Sequence, residues 1–150
     1  MAPAPVYTTE FEVLRDTDTM ADATRKMLAN RVSDLPVIDA TGRFVGMFKL
    51  QAVLGHLLPK AALIGLPDLT FVSDTTHELR RRMAHIEHQP VRDFVVRPEH
   101  MITPDTSPSE VVLLLYRGTN NLPVVEPGTE RLIGMVSARD VLTSIQAASR

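Results

Sequence analysis

The chain carries one pattern twice. Leu35-Pro36-Val37 returns as Leu122-Pro123-Val124 at an offset of 87, and Gly46-Met47 returns as Gly134-Met135 at an offset of 88. The same register aligns Asp18-Thr19 with Asp105-Thr106, Leu28 with Leu115 and Arg43 with Arg131. Matches scattered this widely, with a one-residue change confined to a turn, mark a tandem repeat. That constrains the fold more than any other feature. A unit of about 40 residues buries too little of its own surface to be stable alone, so the two copies must share a core.

Each copy reads as helix–strand–strand–helix. In the first, Thr19 caps a helix with Asp22 three residues on, and Met20, Ala23, Met27 and Leu28 form its apolar side. Leu35-Pro36-Val37-Ile38 is a short buried strand, Asp39-Ala40-Thr41-Gly42 a turn, and Phe44 to Phe48 the returning strand. A helix follows from Leu50 to Leu58, stopped by Pro59. In the second copy Ser107, Pro108 and Glu110 open a helix whose apolar side is Val111, Val112, Leu114 and Leu115. Asn120-Asn121 ends it. Leu122 to Val125, the turn Glu126-Pro127-Gly128-Thr129, Leu132 to Val136 and a last helix to Ala148 complete the copy.

The expected fold is α+β. Two pseudo-symmetric repeats, over 7–56 and 91–147, place their small sheets face to face across a pseudo-two-fold axis. The connection over 57–90 contains a helix that opens at Thr75-x-x-Glu78 and carries Leu79, Met83 and Ile86. Val6 to Leu14 alternates too irregularly for a strand, and Val91 to Val96 reads as an extended lead-in.

Composition narrows the function. A hydrophobic fraction of 44% and a charged fraction of 23% are those of an ordinary globular protein. A net charge of −2 gives no general attraction to nucleic acid or anionic lipid. With no cysteine, disulfides and thiolate chemistry are excluded. No apolar run approaches the roughly 18–20 residues that span a membrane, and Met1-Ala2-Pro3-Ala4-Pro5 does not resemble a secretory signal. The expectation is a cytoplasmic protein with neither nucleic-acid nor membrane partner. His85, Glu87 and His88 read as a solvated helix face rather than a metal site, and Arg80-Arg81-Arg82 as a solvated basic turn. Neither a nucleophile–base set nor a glycine-rich phosphate loop is present, so no catalytic residue is assigned and no enzyme is expected.

The chemistry concentrates at Gly134-Met135-Val136-Ser137-Ala138-Arg139-Asp140, where a buried strand runs straight into a helix. Ser137 can cap that helix, and Asp140 falls in its first turn. Both would face the space above the strand end, a place for an anion or a sugar hydroxyl. On the residues alone, a purely structural cap comes first, and the repeat context shifts the weight to binding.

Two helix–strand–strand–helix repeats with Leu-Pro-Val strands, and a Gly-hydrophobic-hydrophobic-Ser/Thr-x-x-Asp junction, resemble tandem cystathionine β-synthase (CBS) domains, a Bateman module. The resemblance implies a regulatory module that binds an adenosine-containing ligand such as AMP, ADP or ATP between its repeats. It implies no catalytic cofactor. It places Ser137 on phosphate and Asp140 on the ribose hydroxyls, with Met135 and Arg139 beside them, Val32 and Ser33 closing the pocket, and Asn120 near the phosphate. A homodimer and a responding target protein are also implied, and a ligand-free dimerisation scaffold is the alternative. The first junction departs from the pattern: Lys49 replaces Ser/Thr and Ala52 replaces Asp, so that pocket loses its diol acceptor. One adenosine site per chain is therefore expected.

Overall fold

The computed structural model describes residues 6–58 and 76–148. Pro59 and Thr75, read as a helix stop and a helix start, lie outside the described residues. The first repeat comprises β1 (Leu14–Arg15), α1 (Met20–Asn30), β2 (Asp34–Ile38), β3 (Phe44–Lys49) and α2 (Leu50–Leu57). Helix α3 (Thr76–Ile86) lies between the repeats. The second repeat comprises α4 (Pro108–Tyr116), β4 (Asn121–Val125), β5 (Leu132–Ser137) and α5 (Ala138–Ala148).

The helix starts follow local chemistry. The Thr19 hydroxyl accepts the Asp22 N–H at 3.1 Å, and Ser107 accepts that of Glu110 at 3.3 Å, each satisfying an orphan first-turn donor. Helix α1 stops at Arg31, whose left-handed φ of 55° turns its N–H back onto the last carbonyls. Its buried stripe is narrower than the sequence predicted. Met20, Ala23 and Met27 are buried, whereas Leu28, one position further round, is 64% exposed. Val112 in α4 is likewise exposed while Val111 is buried.

In each repeat the two central strands pair antiparallel, β2 with β3 and β4 with β5, and β1 adds to β2 in parallel. Each sheet buries both faces. One face packs on helices: Leu35, Val37 and Phe48 on α1 and α2, and Leu122, Val124 and Val136 on α4 and α5. The other faces the opposite sheet, through Phe44, Met47, Val125 and Met135. A register shift in each hairpin leaves Val45 and Ile133 unpaired. This bulge reverses the alternation, so Phe44 and Leu132 turn into the layer between the sheets while Val45 and Ile133 turn to the helices. The sheets therefore lie face to face, as the repeat requires.

Each repeat's lead-in borders the other repeat's sheet. Thr8 exchanges hydrogen bonds of 2.8 and 3.0 Å with Met135, and Val96 exchanges bonds of 2.8 and 2.9 Å with Met47. These crossings explain the paired glycines. A Cβ on Gly134 would lie 2.5 Å from the Tyr7 ring and 2.9 Å from the Thr8 carbonyl, and one on Gly46 would lie 3.1 Å from the Val96 carbonyl. Two lead-in readings are corrected here. Val6 to Leu14 does contribute sheet contacts, through Thr8 and Leu14. Val91 to Val96 is not extended throughout: Val91–Asp93 forms a 3-10 turn, because Pro90 at φ −73° lets its carbonyl accept the Asp93 N–H at 3.2 Å.

Symmetry stops at the helix layer. Helix α3 covers part of α2 and adds Ile86 and Met83 to the first core. The face of α4 and α5 keeps Tyr116 (85%), Leu142 (61%) and Ile145 (54%) exposed, while on α2 Leu54, the equivalent of Leu142, stays exposed as well.

Candidate functional site

Four polar residues stand where the central strands end or begin. Lys49 pairs across the strands with Asp34, and Ser137 with Asn121. Asp34 and Asn121 are equivalent positions of the two repeats, and they meet: the Asn121 amide donates to Asp34 Oδ1 at 2.8 Å. The row Lys49, Asp34, Asn121, Ser137 thus crosses the pseudo-axis, with a cleft on either side.

The first cleft has a volume of about 550 Å³. Phe11, Val32, Leu35, Pro36 and Met135 give it an apolar wall, and Ser33, Asn120 and Asn121 a polar rim. Among the described residues three carboxylates line it, those of Glu12, Asp34 and Asp140, with no lysine or arginine on its walls. Glu12 is held by Lys26 at 3.2 Å. Among the sequence-predicted residues, Val32, Ser33, Asn120, Met135 and Asp140 share this cleft although they come from both repeats.

Ser137 and Arg139 are placed off its walls. Ser137 instead closes a reciprocal cap. Its N–H and hydroxyl donate to Asp140 Oδ2 at 2.9 and 3.0 Å, and its oxygen accepts the Asp140 N–H at 3.3 Å. The structural role weighed for this pair is therefore real, and it does not exhaust the carboxylate. Asp140 Oδ2 is committed, while Oδ1 takes no hydrogen bond from the described residues and belongs to a side chain on the cleft wall. Arg139 is exposed on the first turn of α5.

The second cleft, about 330 Å³, is the pseudo-symmetric counterpart. It shares Asp34, Asn120 and Asn121 with the first, with Met47 standing for Met135 and Thr119 for Val32. Its chemistry is different. Lys49 occupies the serine position and caps nothing, α2 has no acidic residue in its first turn, and Ala52 is absent from the walls. Arg97 also lines it, donating to the Phe44 carbonyl at 3.3 Å with its guanidinium 5.7 Å from the Phe44 ring centre.

Sequence reasoning missed Thr8, Phe11, Glu12, Asn30, Asp34 and Asn121 as site residues, and assigned Leu35 and Pro36 to a strand alone. Asp34 and Asn121 were within reach, since the repeat register aligns two polar residues directly before each Leu-Pro pair. The N-terminal residues gave no such signal, because they reach the cleft only through the crossing onto the second sheet.

The CBS domain family profile matches residues 4–59 and 91–147. No curated protein matches the sequence. Among solved structures, the CBS-pair protein CBSX2 from Arabidopsis thaliana superposes with a TM-score of 0.73 at 22% identity, over 99% of each chain. CBSX2 in complex with AMP gives 0.67 at 21% identity, over 97% of this chain and 95% of that one. CbpB in complex with c-di-AMP gives 0.69 at 13% identity, over 95% and 81%. Protein MJ1225 from Methanocaldococcus jannaschii gives 0.72 at 19% identity over 93% of this chain, which spans 46% of that longer protein. At these identities the likeness shows the fold alone.

Proposed function

This chain belongs to the CBS domain family, and from that premise we propose that it is a regulatory module binding an adenosine-containing ligand in the first cleft. One observation carries the reading. The cleft is built from both repeats, sets an apolar wall beside a polar rim, and presents a junction carboxylate with one oxygen uncommitted among the described residues. The adenine lies between Val32, Leu35, Pro36 and Met135, and Asp140 Oδ1 accepts a ribose hydroxyl. Ser137 acts through Asp140 by fixing its carboxylate, Ser33 and Asn120 form the rim, and Arg139 stands outside. AMP and c-di-AMP in the CBSX2 and CbpB complexes support this ligand class.

The module is regulatory, not catalytic. A ligand touching both repeats binds one relative arrangement of them better than another, and a target protein responds to that shift. The exposed apolar face of α4 and α5 supports a homodimer, since such faces are commonly buried by symmetric association. Among the described residues no helix is long and apolar enough to cross a membrane, in keeping with a cytoplasmic role. The same apolar face favours a second reading, in which the pair serves only as a ligand-free scaffold.

Thermal denaturation in the presence of adenosine, AMP or ATP separates the two. A ligand confined to the folded state adds about 2.7 kcal/mol at a hundredfold excess over Kd, roughly 2–4 °C of melting shift per kcal/mol for a chain of this size. The expected result is a single transition that rises with ligand in wild type and stays fixed in Asp140→Ala. If no adenine compound moves it at millimolar concentration, the scaffold reading replaces the sensor.

A further inference from the structure

The first cleft is lined by carboxylates while the second mixes Lys49 and Arg97 with Asp34 and Glu99, and resting on the nucleoside reading above, this difference specifies how phosphates are held. A phosphate placed among Glu12, Asp34 and Asp140 in the first cleft would face like charge at close range, where screening is weak. Glu12 is offset by Lys26, and Asp34 takes the Asn121 amide. Among the described residues no cation pairs with Asp140. Cations lie across the Asp34–Asn121 bridge instead, Lys49 and Arg97, with the Glu99 carboxylate on the same walls. Arg97 is engaged by the Phe44 carbonyl and lies 3.9 Å from Glu130, whereas Lys49 is exposed and forms no ion pair among the described residues.

A third hollow connects the two sides. Ser33, Asp34 and Asn120 line it and also line the first cleft, and Lys49, Leu50, Gln51 and Leu54 complete it. The rim of the nucleoside cleft is therefore the near wall of a space whose far wall is Lys49. The first turn of α2 has no carboxylate to oppose that charge, so the helix end adds to it.

We infer that Lys49 is the phosphate-contacting residue for a nucleotide whose nucleoside lies in the first cleft. Its phosphates cross the Ser33–Asn120 rim toward Lys49, and the protein selects adenosine di- and triphosphates over adenosine. One repeat then holds the ribose and the other the phosphates, so the two unlike junctions serve a single ligand.

Calorimetric titration of the full chain with adenosine, AMP, ADP and ATP at two salt concentrations tests this. In wild type, affinity should rise along the series, and the salt dependence should be steepest for ATP. Lys49→Ala should weaken ATP roughly 10- to 100-fold, the range of one charge-assisted hydrogen bond, and flatten its salt dependence. Lys49→Arg should restore most of the loss. If Lys49→Ala binds ATP as wild type does, or if wild type binds adenosine and ATP equally through Asp140, the Lys49 assignment is wrong while the nucleoside cleft stands. If none of the four compounds binds, both fall together.

Discussion

At the end of β5, Ser137 and Asp140 close a reciprocal cap over the first turn of α5. At the same backbone positions after β3 stand Lys49 and Ala52, and α2 begins without a side-chain cap. The backbones follow the repeat, down to the bulge beside each glycine. The side chains do not: one junction is an acceptor and the other a cation. Backbone symmetry in this molecule thus reports how a shared core is built, while the break in side-chain symmetry reports where chemistry is done.

The largest contrast lies in that core. Phe48 and Val136 occupy equivalent positions, both with no exposed surface. Phe48→Ala should cost about 3–5 kcal/mol, and Val136→Ala roughly 2, from two lost carbon groups at about 0.8 each plus a small cavity. Because the sheets share a layer, each variant should still unfold in one transition. Two separate transitions in denaturant would mean that the repeats are independent units.

The paired glycines should separate next. Gly134→Ala forces a Cβ against the Thr8 carbonyl and the Tyr7 ring, whereas Gly46→Ala meets its neighbours at 3.1 Å and beyond. A loss of about 1–3 kcal/mol is expected for Gly134, and a smaller one for Gly46. Equal melting points would show that the N-terminal crossing is loosely held.

Exchanging the junction chemistry sharpens the comparison at about 1 kcal/mol, the usual worth of a cap. Asp140→Ala should lose that much apo stability without unfolding the chain. The pair Lys49→Ser and Ala52→Asp should gain a similar amount by building a cap on α2. If Asp140→Ala unfolds the apo protein, the residue is structural and its proposed ribose contact loses its basis.

The smallest effect concerns the hairpin turns. In the first repeat the Asp39 carboxylate accepts from the Thr41 hydroxyl at 2.6 Å and from the Thr41 and Arg43 N–H groups at 2.9 and 3.0 Å. The Thr41 hydroxyl bond first, then the two N–H bonds and the Arg43 charge, hold its pKa below the ordinary value against the opposing effect of desolvation. A depressed folded pKa stabilises above the unfolded value, and that contribution disappears as pH falls through the folded one. Asp39→Asn should therefore flatten the acid side of the melting curve below about pH 4. An unchanged curve would remove Asp39 from the account.

How much of this was legible depended on whether a feature is local. The caps at Thr19 and Ser107, the Leu-Pro strands and the turns are written within a few residues, and the repeat register supplied the pairing of the sheets. Leu28 and Val112 were misread because hydrophobicity on a helix does not tell how wide a stripe its sheet covers. Thr8, Phe11 and Glu12 were invisible as site residues, since their place depends on a crossing more than a hundred residues away in sequence. The charge contrast was half visible: Lys49 and Ala52 stood out in the register, but only the geometry puts Lys49 across a shared wall from Asp140.

The central claim is a single nucleoside site made by two unlike junctions, and binding stoichiometry tests it most directly. Titration of the wild-type chain with the tightest-binding adenine compound should give one site per chain. Asp140→Ala should lose most of the binding, and Ala52→Asp should leave adenosine, which has no phosphate to reach Lys49, at its original affinity. Two equivalent sites per chain, or wild-type affinity in Asp140→Ala, would contradict it.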